Sequence, residues 1–133
     1  MKLIRIVLVA TLTVACVLAL YMGHAQLQGL KRTDLQQHDL SIPGREVVQA
    51  RVEILPGLSP VRHFHPGEEI IYVLEGTLEY QIDGQQPVTL KAGQVYFIPA
   101  RAIHSAKNVG NGPGVELATY VVEKGKPLLT VVK

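Results

Sequence analysis

Cysteine is nearly absent from this 133-residue chain: Cys16 is the only one. No intrachain disulfide can form, so the fold depends on its own core, or on a core plus a metal. Clustered basic charge is missing as well. Lys and Arg number 13 against 11 acidic residues, and no basic patch or nucleic-acid-binding motif is present. Nucleic acid is therefore not an expected partner. There is no long linker, low-complexity tract or sequence repeat, and the length suits one domain. Past the first 25 residues no stretch carries a convincing helical period.

Those first 25 residues stand apart. Lys2 and Arg5 open the chain, Ile6 to Met22 carries no charge, and "GHA" follows at 23–25. This is the pattern of a secretory signal peptide cleaved before Gln26. The apolar run also reaches the lower limit of a membrane span, so an uncleaved anchor is the alternative. A lipoprotein site at Cys16 fits less well, because the apolar run continues six residues beyond it. The expectation is export, periplasmic or secreted, with membrane contact only if the segment is retained. Loss of Lys2 and Arg5 leaves a nearly neutral domain.

Residues 26–44 are polar and read as an irregular N-terminal arm. From residue 45 the period is two. In "VVQARVEIL", Val48, Ala50, Val52 and Ile54 share one face and Gln49 and Arg51 the other. Leu78, Tyr80 and Ile82 repeat the pattern. Turn signals recur at Pro56-Gly57, Pro66-Gly67, Gly76, Asp83-Gly84, Gly93, Pro99 and "GNGPG" at 110–114. Short strands at that spacing predict an all-β sandwich or barrel over 45–133.

Within this frame, "RHFHPGEE" (62–69) concentrates metal-ligating side chains. Residues two apart on a strand share a face, so His63 and His65 project together and Phe64 points away. After the Pro66-Gly67 turn, Glu69 shares parity with the apolar Ile71 and Val73, while Glu68 faces the other way. His104, on a different strand, can complete a set of three imidazoles and one carboxylate. Alone, a His-x-His pair is as compatible with an incidental surface feature as with a metal site.

The wider spacing decides between these. Gly57 precedes His63 by six positions, His65 and Glu69 follow, and Gly76 closes the run. Gly93, Pro99, His104 and Asn108 form a second group. This resembles the two-part signature of the cupin superfamily, G-x5-H-x-H-x3,4-E-x6-G and G-x5-P-x-G-x2-H-x3-N, over about Glu46 to Val122. One fixed position departs: Arg101 stands where the second motif has glycine, a turn residue with positive φ. Arg101 either tolerates that turn or reaches over the cavity mouth toward an anionic ligand.

The resemblance implies a jelly-roll barrel, the double-stranded β-helix. It also implies that His63, His65, Glu69 and His104 bind one divalent transition metal. Such ligands suit Fe, Mn, Ni, Cu or Zn without choosing among them. Lack of thiolates disfavours a closed structural zinc site. Four protein ligands would leave two positions open for water, dioxygen or a small-molecule substrate. Asn108 is expected to support its own loop.

Other residues have less definite roles. Tyr72, Tyr96, Tyr120, Phe64 and Phe97 are candidates to line the cavity. Glu75 shares parity with Glu69 and is a candidate second carboxylate, or else a solvated strand end. His38 is expected to be exposed. No base beyond the ligands is apparent, so the catalytic residues stay unassigned. The two functional classes left are a metal-dependent enzyme (dioxygenase, or lyase or isomerase) and a non-catalytic small-molecule-binding protein of the envelope. A homodimer is expected, with the arm and "LLTVV" at 128–132 pairing with strand edges of a second copy.

Overall fold

The computed structural model describes residues 29–133. The predicted signal segment lies outside them. Ten strands form two antiparallel five-stranded sheets, ordered β1-β2-β9-β4-β7 and β10-β3-β8-β5-β6. The strands are β1 Leu30–Asp39, β2 Arg45–Ile54, β3 His63–Phe64, β4 Gly67–Glu75 and β5 Thr77–Ile82. They continue with β6 Val88–Lys91, β7 Val95–Ile98, β8 His104–Asn108, β9 Gly114–Glu123 and β10 Thr130–Val131. The described residues contain no helix, and this is the all-β jelly roll expected from the sequence.

Period two builds the core. Val48, Ala50, Val52 and Ile54 of β2 are all buried, as are Ala118, Tyr120 and Val122 of β9 and Leu78, Tyr80 and Ile82 of β5. β2 and β9 pair without a break from Arg45↔Glu123 to Ile54↔Gly114. Their inward residues therefore meet in pairs, which is what pins the register. Gln49 and Arg51 lie on the outer face, where Gln49 donates to Thr119 Oγ1 (3.0 Å) and Arg51 pairs with Glu53 (3.0 Å).

One expectation needs correction. The described part of the arm is not irregular, for residues 30–39 are strand β1, paired antiparallel with β2 of the same chain. It escaped the period-two reading because it is an edge strand whose residues are almost all exposed, so backbone pairing rather than apolar burial forms it. The C-terminal segment is likewise used internally: Thr130 pairs with Phe64 and Val131 with His63. Both segments thus pair within the chain, and as edge strands each keeps one outer edge open.

Two local features place the site. Gly67 lets β4 start one residue after Pro66, tight against β9: a Cβ there would lie 2.0 Å from the Val121 carbonyl oxygen. Arg101 takes the left-handed turn that the glycine of the motif would take, with φ 63°. Its amide donates to the His65 carbonyl (3.1 Å) and its guanidinium reaches Glu123 (3.2 Å). The side chain is thus committed away from the cavity mouth.

Candidate metal centre

His63 ends up opposite His104 across the β3–β8 pair, and His65 follows at the turn. Ring centroids lie 4.9 Å (His63–His65), 4.3 Å (His63–His104) and 5.2 Å (His65–His104) apart. Glu69 enters from the other sheet. Its Oε2 is 3.3 Å from His65 Nε2 and 3.0 Å from His104 Nε2. His65, Glu69 and His104 are each buried to within 3%.

The outer nitrogen of every ring is already used. Nδ1 of His63 meets the Val61 carbonyl (2.8 Å), that of His65 the Leu128 carbonyl (2.6 Å) and that of His104 the Ala102 carbonyl (2.9 Å). A carbonyl only accepts, so each Nδ1 carries the proton and each Nε2 presents a lone pair. The three nitrogens converge within 4.8 Å, a geometry that could hold a metal ion. Among the described residues, His65 Nε2 and Glu69 Oε2 are buried without a hydrogen-bond partner, despite their short separation. Two acceptors facing each other in the interior are costly unless a cation lies between them. The donor set therefore fits a borderline divalent ion.

The electrostatics agree. Burial lowers His63 to about 4, keeping its ring neutral at ordinary pH. For Glu69, burial alone would push the carboxyl up, but donated hydrogen bonds and positive charge at His104 and His65 outweigh it and hold it at about 2, so the carboxylate calls for a proton or a cation at Nε2.

The cluster opens onto a cavity of about 270 Å³. Most of its wall is aliphatic, including Val52, Ile54, Leu58 and Ile71. A second carboxylate is present, and it is not Glu75. A bulge between Val73 and Glu75 breaks the parity of β4 and leaves Glu75 exposed. The carboxylate is Glu116, on β9, level with Val52 and Val73 and buried. Its Oε2 accepts from the Tyr80 hydroxyl. Burial, helped by the Glu69 charge, pushes Glu116 up to about 8, so it holds its proton at neutral pH. Burial also pushes the Tyr80 phenol well above its ordinary range. Sequence reading passed over Glu116, though the signal was there: a glutamate in step with Ala118, Tyr120 and Val122.

The aromatic candidates divide. Tyr120 lines the cavity and packs 4.7 Å from the His65 ring. Tyr96 packs on the core beside Tyr80 (5.8 Å). Tyr72 and Phe97 are on the outer face, and Phe64 points away from the cavity lining. His38 is exposed. Asn108 secures its loop, donating to the Ile54 (2.7 Å) and Gly112 (2.8 Å) carbonyls and accepting from the Gly110 amide (2.8 Å).

A two-sheet jelly roll with a three-histidine cluster at one cavity defines a small β-barrel that could hold a metal ion. The cupin-domain profile matches residues 50–122, and the chain belongs to the cupin family. It is 41% identical over 63 residues to an oxalate-binding protein of Thermotoga maritima, covering 47% of this chain and 51% of that one. It is 35% identical over 79 residues to germin-like protein 1-1 of Oryza sativa, covering 56% and 37% respectively. The chain thus spans about half or less of these relatives. Among solved structures, a cupin-like protein from Thermotoga maritima superposes with a TM-score of 0.64 at 22% identity, over 77% of this chain and 75% of that one, a likeness of fold.

Proposed function

We propose that this protein holds one divalent transition metal through His63, His65, Glu69 and His104, and binds a small oxygenated organic molecule at the open positions. The observation that carries the reading is the convergence of the three imidazoles on one point, each ring locked by its Nδ1 bond, with His65 Nε2 and Glu69 Oε2 buried there and unpartnered among the described residues. When bound, the metal supplies a Lewis-acid or redox centre for the oxygens of that molecule. The chain's own groups do the rest. Aliphatic walls exclude water, and the protonated Glu116, whose Oε2 accepts from Tyr80, stands on the same cavity wall as an acid. That group supplies the acid or base that the sequence alone did not reveal, and it favours an enzyme of the lyase, isomerase or dioxygenase kind.

The second reading, a non-catalytic binding protein, draws support from the relative named for binding oxalate. Metal content of the purified protein, followed by oxygen uptake and substrate loss across phenolic and 2-oxo-acid compounds, separates the two. Turnover that Glu116→Gln abolishes while binding persists marks the enzyme. Metal-dependent binding with no turnover marks the binder, and no bound metal contradicts both.

We also propose export and self-association. Export draws on residues 1–25, and the intact mass of the exported protein tests it. For association, Ile70, Tyr72 and Leu74 of β4 and Val95 and Phe97 of β7 are exposed on one outer face, with Ile70 beside Phe97 and Tyr72 beside Val95. A contiguous apolar stripe at a sheet edge suits a second copy related by two-fold symmetry. Phe97→Glu should convert a dimer to a monomer by light scattering, whereas a wild type monomeric at high concentration contradicts the assignment.

A further inference from the structure

Strand β1 contributes one charged side chain to the cavity that the metal reading does not use. Arg32 lies directly across from Val52, which lies across from Glu116, so all three share the inward face of the sheet. Its side chain is 31% exposed and lines the cavity, where no other Arg or Lys among the described residues does. The guanidinium carbon stands 5.6 Å over the centre of the Tyr120 ring. Asp34 accepts from Nε at 2.7 Å. The Nη groups make no hydrogen bond among the described residues, so one face of the planar fork is fixed by an aromatic ring and one edge by a carboxylate, with the remaining donors unused. Tyr120 also touches the His65 ring (4.7 Å), which puts the guanidinium within about 10 Å of the histidine cluster. Between the two ends lie aliphatic side chains.

We propose that Arg32 is the recognition cation for a carboxylate, and that the cavity takes a small organic anion. One oxygen end reaches the histidine cluster, a short hydrocarbon spacer lies against Val52, Ile54 and Ile71, and the carboxylate receives the Nη donors of Arg32. The acidic groups nearby do not compete for those donors. Glu69 is taken up with the imidazoles, Glu116 is protonated and capped by Tyr80, and Asp34 uses only Nε. Arginine suits this task because its fork meets a carboxylate with two parallel bonds. The inference rests on the metal reading, since it assigns the other end of the same ligand.

The test is a series of dicarboxylates, succinate, glutarate and adipate, titrated with their monomethyl esters into the Zn(II)-loaded protein. A half-ester keeps one carboxylate for the metal and removes the charge from the other end. In the wild type, the best-fitting diacid should bind about tenfold or more tightly than its half-ester. In Arg32→Gln that gap should fall below about twofold, with Arg32→Lys between, since lysine keeps the charge without the fork. The melting temperature of Arg32→Gln without ligand serves as the folding control. A gap that is absent in the wild type, or that survives in Arg32→Gln, overturns the role of Arg32 while leaving the metal site standing. Diacid binding that is unchanged by His104→Ala, or a wild type that takes up no Zn(II), overturns both.

Discussion

The turn between β3 and β4 and the edge strand β1 both send polar side chains into one cavity, and they are held in opposite ways. At the turn, His65 and Glu69 are buried, the His63 and His65 rings are each pinned through Nδ1, and Gly67 sits against the β9 backbone. On β1 nearly every residue is exposed, and Arg32 is steadied only by Tyr120 and Asp34. Metal ligands must hold their geometry to fractions of an ångström, and the buried turn supplies that rigidity. A side chain that grips a variable carboxylate tolerates, and gains from, a looser mount. The two regions accordingly differ in what a substitution should cost.

The largest effect on stability is expected at the turn. Gly67→Ala places a Cβ against backbone atoms of Val121 and Val122, which cannot step aside as a flexible side chain would. A loss of about 2–3 kcal/mol or more is expected, measured by urea unfolding of the metal-free protein. A change under about 0.5 kcal/mol would mean that the β4–β9 approach is slack and that the turn is no more rigid than β1.

Next comes the buried carboxyl between the regions. Glu116 has a folded value near 8, above its ordinary 4.5, so the native state holds a proton that the unfolded chain has released over that range. Its stabilising contribution is complete below about pH 4.5 and is lost as pH rises toward 8. In metal-free protein, Glu116→Gln should therefore gain stability relative to wild type as pH rises from 5 to 8. A relative gain of a few kcal/mol is expected in denaturant titrations. Parallel curves for the two proteins would place Glu116 in water or beside a cation.

The smallest effect belongs to the exposed end of β1. His38→Ala should shift stability by less than about 0.5 kcal/mol and leave the metal-induced rise in melting temperature intact. A thermal melt showing otherwise would bring β1 into the metal site and erase the distinction between the two regions.

Legibility in the sequence followed the same division. The turn was readable because its chemistry is local: His63, His65 and Glu69 sit within seven residues, and strand parity says which way they point. His104 needed the long-range spacing of the second motif. Three features were missed or left open. β1 has no apolar alternation, since a largely exposed edge strand needs only a partner's backbone. For Glu75 the sequence left a second carboxylate and a solvated strand end both open, and the bulge after Val73 decides for the strand end, because one extra residue undoes parity without marking the sequence. Glu116 was obscured by its type, for a glutamate in an apolar run reads as solvent-facing until the register with Val52 and Val73 is known.

Calorimetric titration of a divalent metal into the metal-free protein, run on wild type, Glu69→Gln, Glu68→Gln and His104→Ala, tests the central claim most directly. Wild type and Glu68→Gln should bind one ion per chain with similar affinity, because Glu68 lies on the face of β4 opposite the histidines. Glu69→Gln and His104→Ala should lose more than the ~10–100-fold expected of a residue that merely supports a ligand. Metal binding that survives Glu69→Gln and disappears in Glu68→Gln would contradict the assignment of the site.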